Sequence, residues 1–128
     1  MTITETPEVS KDREPVGSLT AKDIENEVRK IAAADPYYIY DDFDEDEGYC
    51  RYINNGEGSC IVGKALVNLD IDPETIIRLE GNPASEVVAE LLGPGEQASL
   101  EWLDTVQCEQ DNGTPWGEAV LIADELRG

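Results

Sequence analysis

Apolar residues recur along this chain in short regular sets, separated by proline, glycine and acidic punctuation. Ile24, Val28, Ile31 and Ala32 return at the spacing of one helical face. Thr20 is placed to cap that helix, with Asp23 as its capping-box partner. Pro36 stops it, because the residue before proline disfavours helical backbone. Ile61, Val62, Ala65, Leu66 and Leu69 form the cleanest stripe in the chain, and Ser59 is its expected N-cap. Asp72-Pro73 opens a short helix with proline at the first helical position, and Gly81 closes it. Pro83 to Leu92 makes another, ended by Gly93-Pro94-Gly95. Gln97 to Asn112 is a longer helix with Leu100, Leu103 and Val106 inward and Gly113 as its C-cap. Thr114-Pro115 starts the last helix, whose buried side is expected to be Ala119, Val120, Ile122, Ala123 and Leu126.

Two segments break the helical period. Tyr37–Tyr40 and Tyr49–Ile53 are rich in aromatic and β-branched residues, which suit a pleated surface. The acidic run from Asp41 to Glu47 connects them, and Asn54-Asn55-Gly56 follows as a turn. The pair reads as a hairpin with an acidic loop, which needs helices to pack on. The expected fold class is α+β and mainly helical: about five helices of unequal length packed with one short antiparallel β-hairpin. Residues 1–17 carry apolar residues only as singles, too few to offset the entropy of ordering. They are expected to be a disordered acidic tail, with 18–128 a single globular domain.

Charge changes this picture from a fold to a surface. Asp and Glu outnumber Lys and Arg 29 to 9, giving a net charge of −20 on 128 residues. From Leu79 to Leu126 there are eleven carboxylates and no basic residue, and from Asp35 to Gly48 seven more, again with none. Such a field attracts cations and basic surfaces and repels nucleic acid, nucleotides and anionic membrane. The expected partner is therefore a protein with a basic surface, with no direct nucleic acid and no membrane. No apolar run approaches the ~20 residues of a membrane span. The N-terminal residues have neither the basic start nor the apolar core of a secretion signal. An odd set of three cysteines, Cys50, Cys60 and Cys108, does not suit a disulfide scaffold. The reading is cytoplasmic.

Histidine is absent, which excludes Cys-His and Ser-His catalysis and His-ligated zinc. Gly58 to Lys64 matches the spacing GxxxxGK of a phosphate-binding loop, but Ala65 stands where a hydroxyl must hold Mg²⁺. Ile61 and Val62 belong to the helical stripe, so a structural helix start is the better reading. Cys60 falls at a helix N-terminus, where the dipole lowers a thiol pKa; filling a helix-packing site is the plainer use. The run Asp41 to Gly48 lacks the EF-hand glycine and terminal glutamate, since those positions are Glu47 and Ile53. It is read as a solvated acidic loop, with weak divalent-cation binding as an alternative. Trp102 and Trp116 are read first as helix-packing residues. Their closeness to the Gly113 turn also makes Trp116 a candidate aromatic contact.

Two blocks carry a resemblance. Gly58-Ser-Cys-Ile-Val-Gly63-Lys-Ala-Leu66, preceded by Cys50-x-Tyr52, is the first. The second runs Trp102-x-x-x-Val106-Gln107-x-x-Gln110-Asp111-x-Gly113-x-Pro115-Trp116-Gly117-Glu118-Ala119-Val120. Across roughly residues 20–126 the chain resembles a group of small uncharacterised proteins of actinobacteria and their phages. The resemblance implies a phage or actinobacterial origin, and it brings no activity, cofactor or catalytic residue.

The expected function is that of a small acidic phage-type accessory protein that binds a host or phage protein through negative surface, in the host cytoplasm if phage-encoded. Its sharpest version is a nucleic-acid mimic. Asp42, Asp44, Glu45, Asp46, Glu47 and Trp116 are the candidate partner-binding residues; no catalytic residue, metal ligand or cofactor is assigned. The alternative from another class is an enzyme using Cys60 or paired carboxylates. Because surface tails contribute little to stability, truncation to Ser18 should leave the thermal midpoint within about a degree or two. A large drop in a calorimetric scan would show that the tail docks.

Overall fold

The structure, a computed structural model, describes residues 19–41, 51–93 and 95–127. It is mainly helical with one two-stranded antiparallel sheet, as the periodicity predicts. The elements are α1 (Ala21–Ala34), β1 (Ile53–Asn54), β2 (Glu57–Gly58), α2 (Ile61–Asn68), α3 (Pro73–Ile77), α4 (Ala84–Leu92), α5 (Gln97–Asp111) and α6 (Trp116–Arg127). The α5 helix is the centre. It packs on α6, α4, α1 and α2, while α1 crosses α2, α5, α6 and α4.

The expected α1 cap forms in full. The Thr20 hydroxyl accepts from Asp23 N, and the Asp23 carboxylate accepts from Thr20 N. Ile24, Val28 and Ala32 point into the core, joined by Ile61, Val62, Ala65 and Leu66 of α2, Val87 and Val88 of α4, and Leu100, Trp102, Leu103 and Val106 of α5. At α2 the cap is Cys60, not Ser59: its sulfur accepts from Gly63 N at 3.4 Å. The Ser59 hydroxyl instead meets the Tyr40 hydroxyl at 3.1 Å.

The hairpin lies elsewhere than expected. Ile53 pairs with Gly58 and Asn54 with Glu57. Between them Asn55 (φ 57°) and Gly56 (φ 79°) both take left-handed backbone. Asn-Gly is the best two-residue hairpin turn because it tolerates positive φ twice and matches strand twist. That local closure prevails over a longer acidic connection. Tyr37–Tyr40 forms no strand among the described residues. Its Tyr40 ring is buried, and the hydroxyl accepts from Arg51 N at 3.0 Å. The 37–40 and 51 segments thus meet through a side chain rather than a backbone ladder. The tail reading lies outside the described residues.

The α5 helix also supplies what two neighbours lack. Pro83, the N-cap of α4, has no capping side chain. Gln107 Oε1 accepts from Ala84 N at 2.9 Å, and Asp104 Oδ1 accepts from Ser85 N at 2.7 Å. Gln110 Oε1 accepts from Ile61 N at the start of α2 (2.9 Å) and from Trp116 Nε1 (3.2 Å). Asp104, Gln107 and Gln110 fall three residues apart and so share a face of α5. The first amides of any helix lack intrahelical partners, and this polar ridge serves them across the tertiary interface.

The last helix departs in two respects: Ile122 is only partly buried and stands outside the core cluster, and Leu126 turns to solvent. Ala119 and Ala123 are buried and Val120 is packed against the core, but Leu126 is 74% exposed. The inner face at that end belongs to Asp124 and Arg127, for the reason given below. Leu66 is fully buried mid-stripe. Leu66→Ala should cost about 2–5 kcal/mol, the usual result of a buried large-to-small change. Chemical denaturation will measure it, and a cost under about 0.5 kcal/mol, typical of surface sites, would contradict the packing described.

Candidate functional site

Glu25 is the feature that the periodicity hid. It follows Ile24 on α1 and has no exposed surface. An ionised carboxylate that deep is tolerated only when paired and hydrogen-bonded. Arg29 of the same helix donates from Nε and Nη2 at 3.1 and 2.8 Å. Arg127 of α6 donates from both Nη atoms at 2.9 and 2.8 Å, and the Ser99 hydroxyl of α5 adds a bond at 3.0 Å. Arg29 also reaches Asp124 of α6 at 2.6 and 3.0 Å, and Asp124 accepts from Trp102 Nε1 at 2.8 Å. The Arg29 guanidinium lies 4.6 Å and that of Arg127 5.7 Å from the centre of the Trp102 ring, within cation–π range.

The cluster fixes its own protonation. Hydrogen bonding from Arg127 is the main cause that holds the Glu25 carboxyl at about 2 against an ordinary 4.5, with Arg29 and Ser99 assisting and burial opposing. Asp124 is also lowered, chiefly by Arg29 and then by Trp102, again against burial. The charges of this arrangement face one another between α1 and α6. It is a structural clasp of α1, α5 and α6.

The clasp has a consequence for the outer surface. Lys22, Arg29 and Arg127 all turn toward Glu25. Lys30 pairs with Glu27 at 3.3 Å, and Lys64 donates to the Gly58 carbonyl at 3.2 Å. Among the described residues no lysine or arginine pairs with Glu86, Glu90, Glu96, Glu118 or Glu125. An open groove of about 460 Å³ runs between α4 and the start of α5, with Ala89, Gly95 and Leu100 along it and Glu86 and Glu90 at its edge. A second hollow of about 340 Å³ lies over Trp102, with Glu101, Leu126 and Arg127 around it.

Of the candidate contact residues, Asp42, Asp44, Glu45, Asp46 and Glu47 lie outside the described residues. Asp41, at the start of that run, is exposed. Trp116 is 2% exposed. Its Nε1 donates to Gln110, and its ring stands 4.5 Å from that of Tyr38 at 54°, so it packs beneath the surface instead of lining it. The aromatic surface above it is Tyr37 and Tyr38, followed by Ile39: these are 86%, 38% and 53% exposed. The strand reading missed them. The available signal was three large apolar residues after Pro36 with no periodic partner.

The look-alike phosphate loop has a packing explanation. A Cβ on Gly63 would press into the Tyr52 carbonyl, and one on Gly58 would sit 2.5 Å from Lys64 Cα. The two glycines let the hairpin lie directly on the first turn of α2, whose Ile61 amide is already occupied by Gln110. Cys60 is wholly buried, which gives a substrate no access to its sulfur. Among the described residues, no group of three or more Cys, Asp or Glu side chains is placed to hold a metal ion. No helix there is long and apolar enough to cross a membrane. No family model, curated protein or solved structure matches the chain.

Because the folded Glu25 pKa is depressed, its contribution is complete above about pH 4.5 and is lost as pH falls toward about 2. Glu25→Gln should therefore flatten the stability profile in that window. At neutral pH it should cost about 3 kcal/mol, the low end for breaking a buried pair, because both arginine side chains keep about a third of their surface, 34% and 29%. Urea titrations of both proteins from neutral to acid pH will check this. Parallel profiles would mean that Glu25 is not the linked group.

Proposed function

We propose that this protein is a small acidic binding module that engages a protein with a basic surface. The observation that carries the reading is the separation of charge. The chain has nine basic residues, and three of them, Lys22, Arg29 and Arg127, are drawn to the Glu25–Asp124 cluster. Glu86, Glu90, Glu96, Glu118 and Glu125 form no ion pair with a described lysine or arginine. Fields of one sign steer oppositely charged partners and raise the rate of encounter.

If the chain is phage-encoded, as its resemblance to proteins of actinobacteria and their phages implies, it is an accessory protein acting on a host or phage target in the host cytoplasm. A nucleic-acid mimic is the sharpest form of the same idea, since a basic groove built for phosphates would accept such a surface. The thiol-enzyme alternative gains no support from a Cys60 with 0% exposure.

The partner should come from an affinity capture in actinobacterial lysate at low and high salt, followed by kinetics with the purified protein. Association should slow as salt rises, because steering is screened within a Debye length of about 10 Å at 0.1 M. Replacing Asp42, Asp44, Glu45, Asp46 and Glu47 with Asn or Gln should lower the on-rate while leaving the fold intact. Unchanged binding in that variant would move the contact to the carboxylates between Glu80 and Glu125. Binding insensitive to salt would sink the electrostatic reading.

A further inference from the structure

The segment that follows α1 is held out in water by the fold itself. Gly117 N donates to the Pro36 carbonyl at 2.8 Å, and Trp116 N donates to the Tyr38 carbonyl at 3.0 Å. These are the leading amides of α6, which have no partners within their own helix. Gly117 makes the approach feasible: a Cβ there would lie 2.8 Å from Pro36 Cβ and 3.0 Å from its carbonyl oxygen. At one side the Tyr38 ring rests on Trp116. At the other, the Tyr40 ring is buried and its hydroxyl bonds the backbone of Arg51. Between these anchors Tyr37 is 86% and Ile39 53% exposed.

Large apolar side chains in water are ordinary when scattered singly. Here two of them stand on a backbone fastened at both ends, so a partner meets them without an ordering cost. Tyrosine on a rigid support is a frequent anchor in protein recognition. Charge identifies what can approach. Asp35 and Asp41 bracket the strip and are exposed. The acid-only stretch continues from Asp41 through Glu47 in sequence. Exposed aromatics also stack nucleic-acid bases, but those sites need a positive groove along the backbone, and the sign here is opposite. A second copy of this chain would bring another −20 charges to the same place.

We propose that Tyr37 and Ile39 are the apolar anchor of a docking surface whose occupant is a basic protein segment carrying apolar side chains between its lysines and arginines. This rests on the acidic-module reading and adds the second half of the recognition: carboxylates set the encounter, and the strip sets the lifetime of the complex. Cationic residues of the occupant would face Asp35 and Asp41, while its apolar residues cover the tyrosine and isoleucine.

Two synthetic peptides test this. One is Lys/Arg-rich with interspersed leucines; the other has the same charge with serines in place of the leucines. Calorimetric titration at physiological salt should show the leucine peptide bound about tenfold or more tightly, equivalent to roughly 1.4 kcal/mol. The double variant Tyr37→Ser/Ile39→Ser should abolish that preference and retain the circular dichroism of the parent. Tyr37→Ser alone should reduce it, in case the double change perturbs the fold. Leu126→Ser, which removes an apolar residue whose exposure (74%) lies between those of Tyr37 and Ile39, at the far end of α6, should leave it intact. Equal affinity of the native protein for the two peptides would overturn the anchor while leaving the acidic module standing. A preference lost equally in Leu126→Ser would overturn it as nonspecific. Self-association in sedimentation that Tyr37→Ser disperses would assign the strip to a second copy instead. Peptide binding indifferent to salt would remove the acidic module and the anchor together.

Discussion

A carboxylate without exposed surface must be paired, and in this molecule the pairing of Glu25 decides how three helices stand. The residue sits on α1, its partners on α1, α5 and α6, and together they bring two guanidinium groups and a hydroxyl to the same point. Buried ion pairs add little over a well-packed apolar site, because desolvation offsets most of the attraction. Their effect is directional. An apolar contact tolerates a sliding helix, whereas a carboxylate bound by two forks does not. The position of α6 follows, and with it the amides of Trp116 and Gly117 that hold the segment after α1.

Polar side chains on α5 complete the design. Its inward residues Leu100, Leu103 and Val106 pack as any helix stripe does. Beside them Asp104, Gln107 and Gln110 accept from amides at the starts of α4 and α2. Short helices of this kind are marginal alone. Here they are terminated by their neighbour, so their positions depend on tertiary contact more than on their own sequence. The two roles of α5 explain why so small a molecule can carry many short elements around one core.

Much of this was legible in the residues. The stripes on α1 and α2, the proline starts, the Gly113 stop and the mainly helical class all come from periodicity and punctuation, which are local. What was not legible is what depends on distance. Glu25 carries no signal in the sequence because its partners Ser99 and Arg127 lie 74 and 102 positions away. Leu126 was assigned to the core because α6 is apolar on more than one face, and only the clasp shows which face turns inward. The hairpin was misplaced because aromatic content outweighed the Asn55-Gly56 turn, though that turn is the stronger physical signal. Tyr37 and Ile39 were read as strand for the same reason, and so their exposure went unforeseen. Trp116 was weighed as packing and as contact, and it lies in the interior beneath Tyr38.

The 102 positions between Glu25 and Arg127 also set an order of events. Closing so long a loop costs entropy that no local contact returns, and contacts of this separation slow folding. Until α6 arrives, the Glu25 carboxylate has only Arg29 and Lys22 within its own helix, and hydration keeps that side of α1 open. The helices in between can assemble on local contacts, but the desolvation of α1 must await the last one. Burial of the charge, docking of α6 and the fixing of residues 36–39 are thereby linked through one set of contacts.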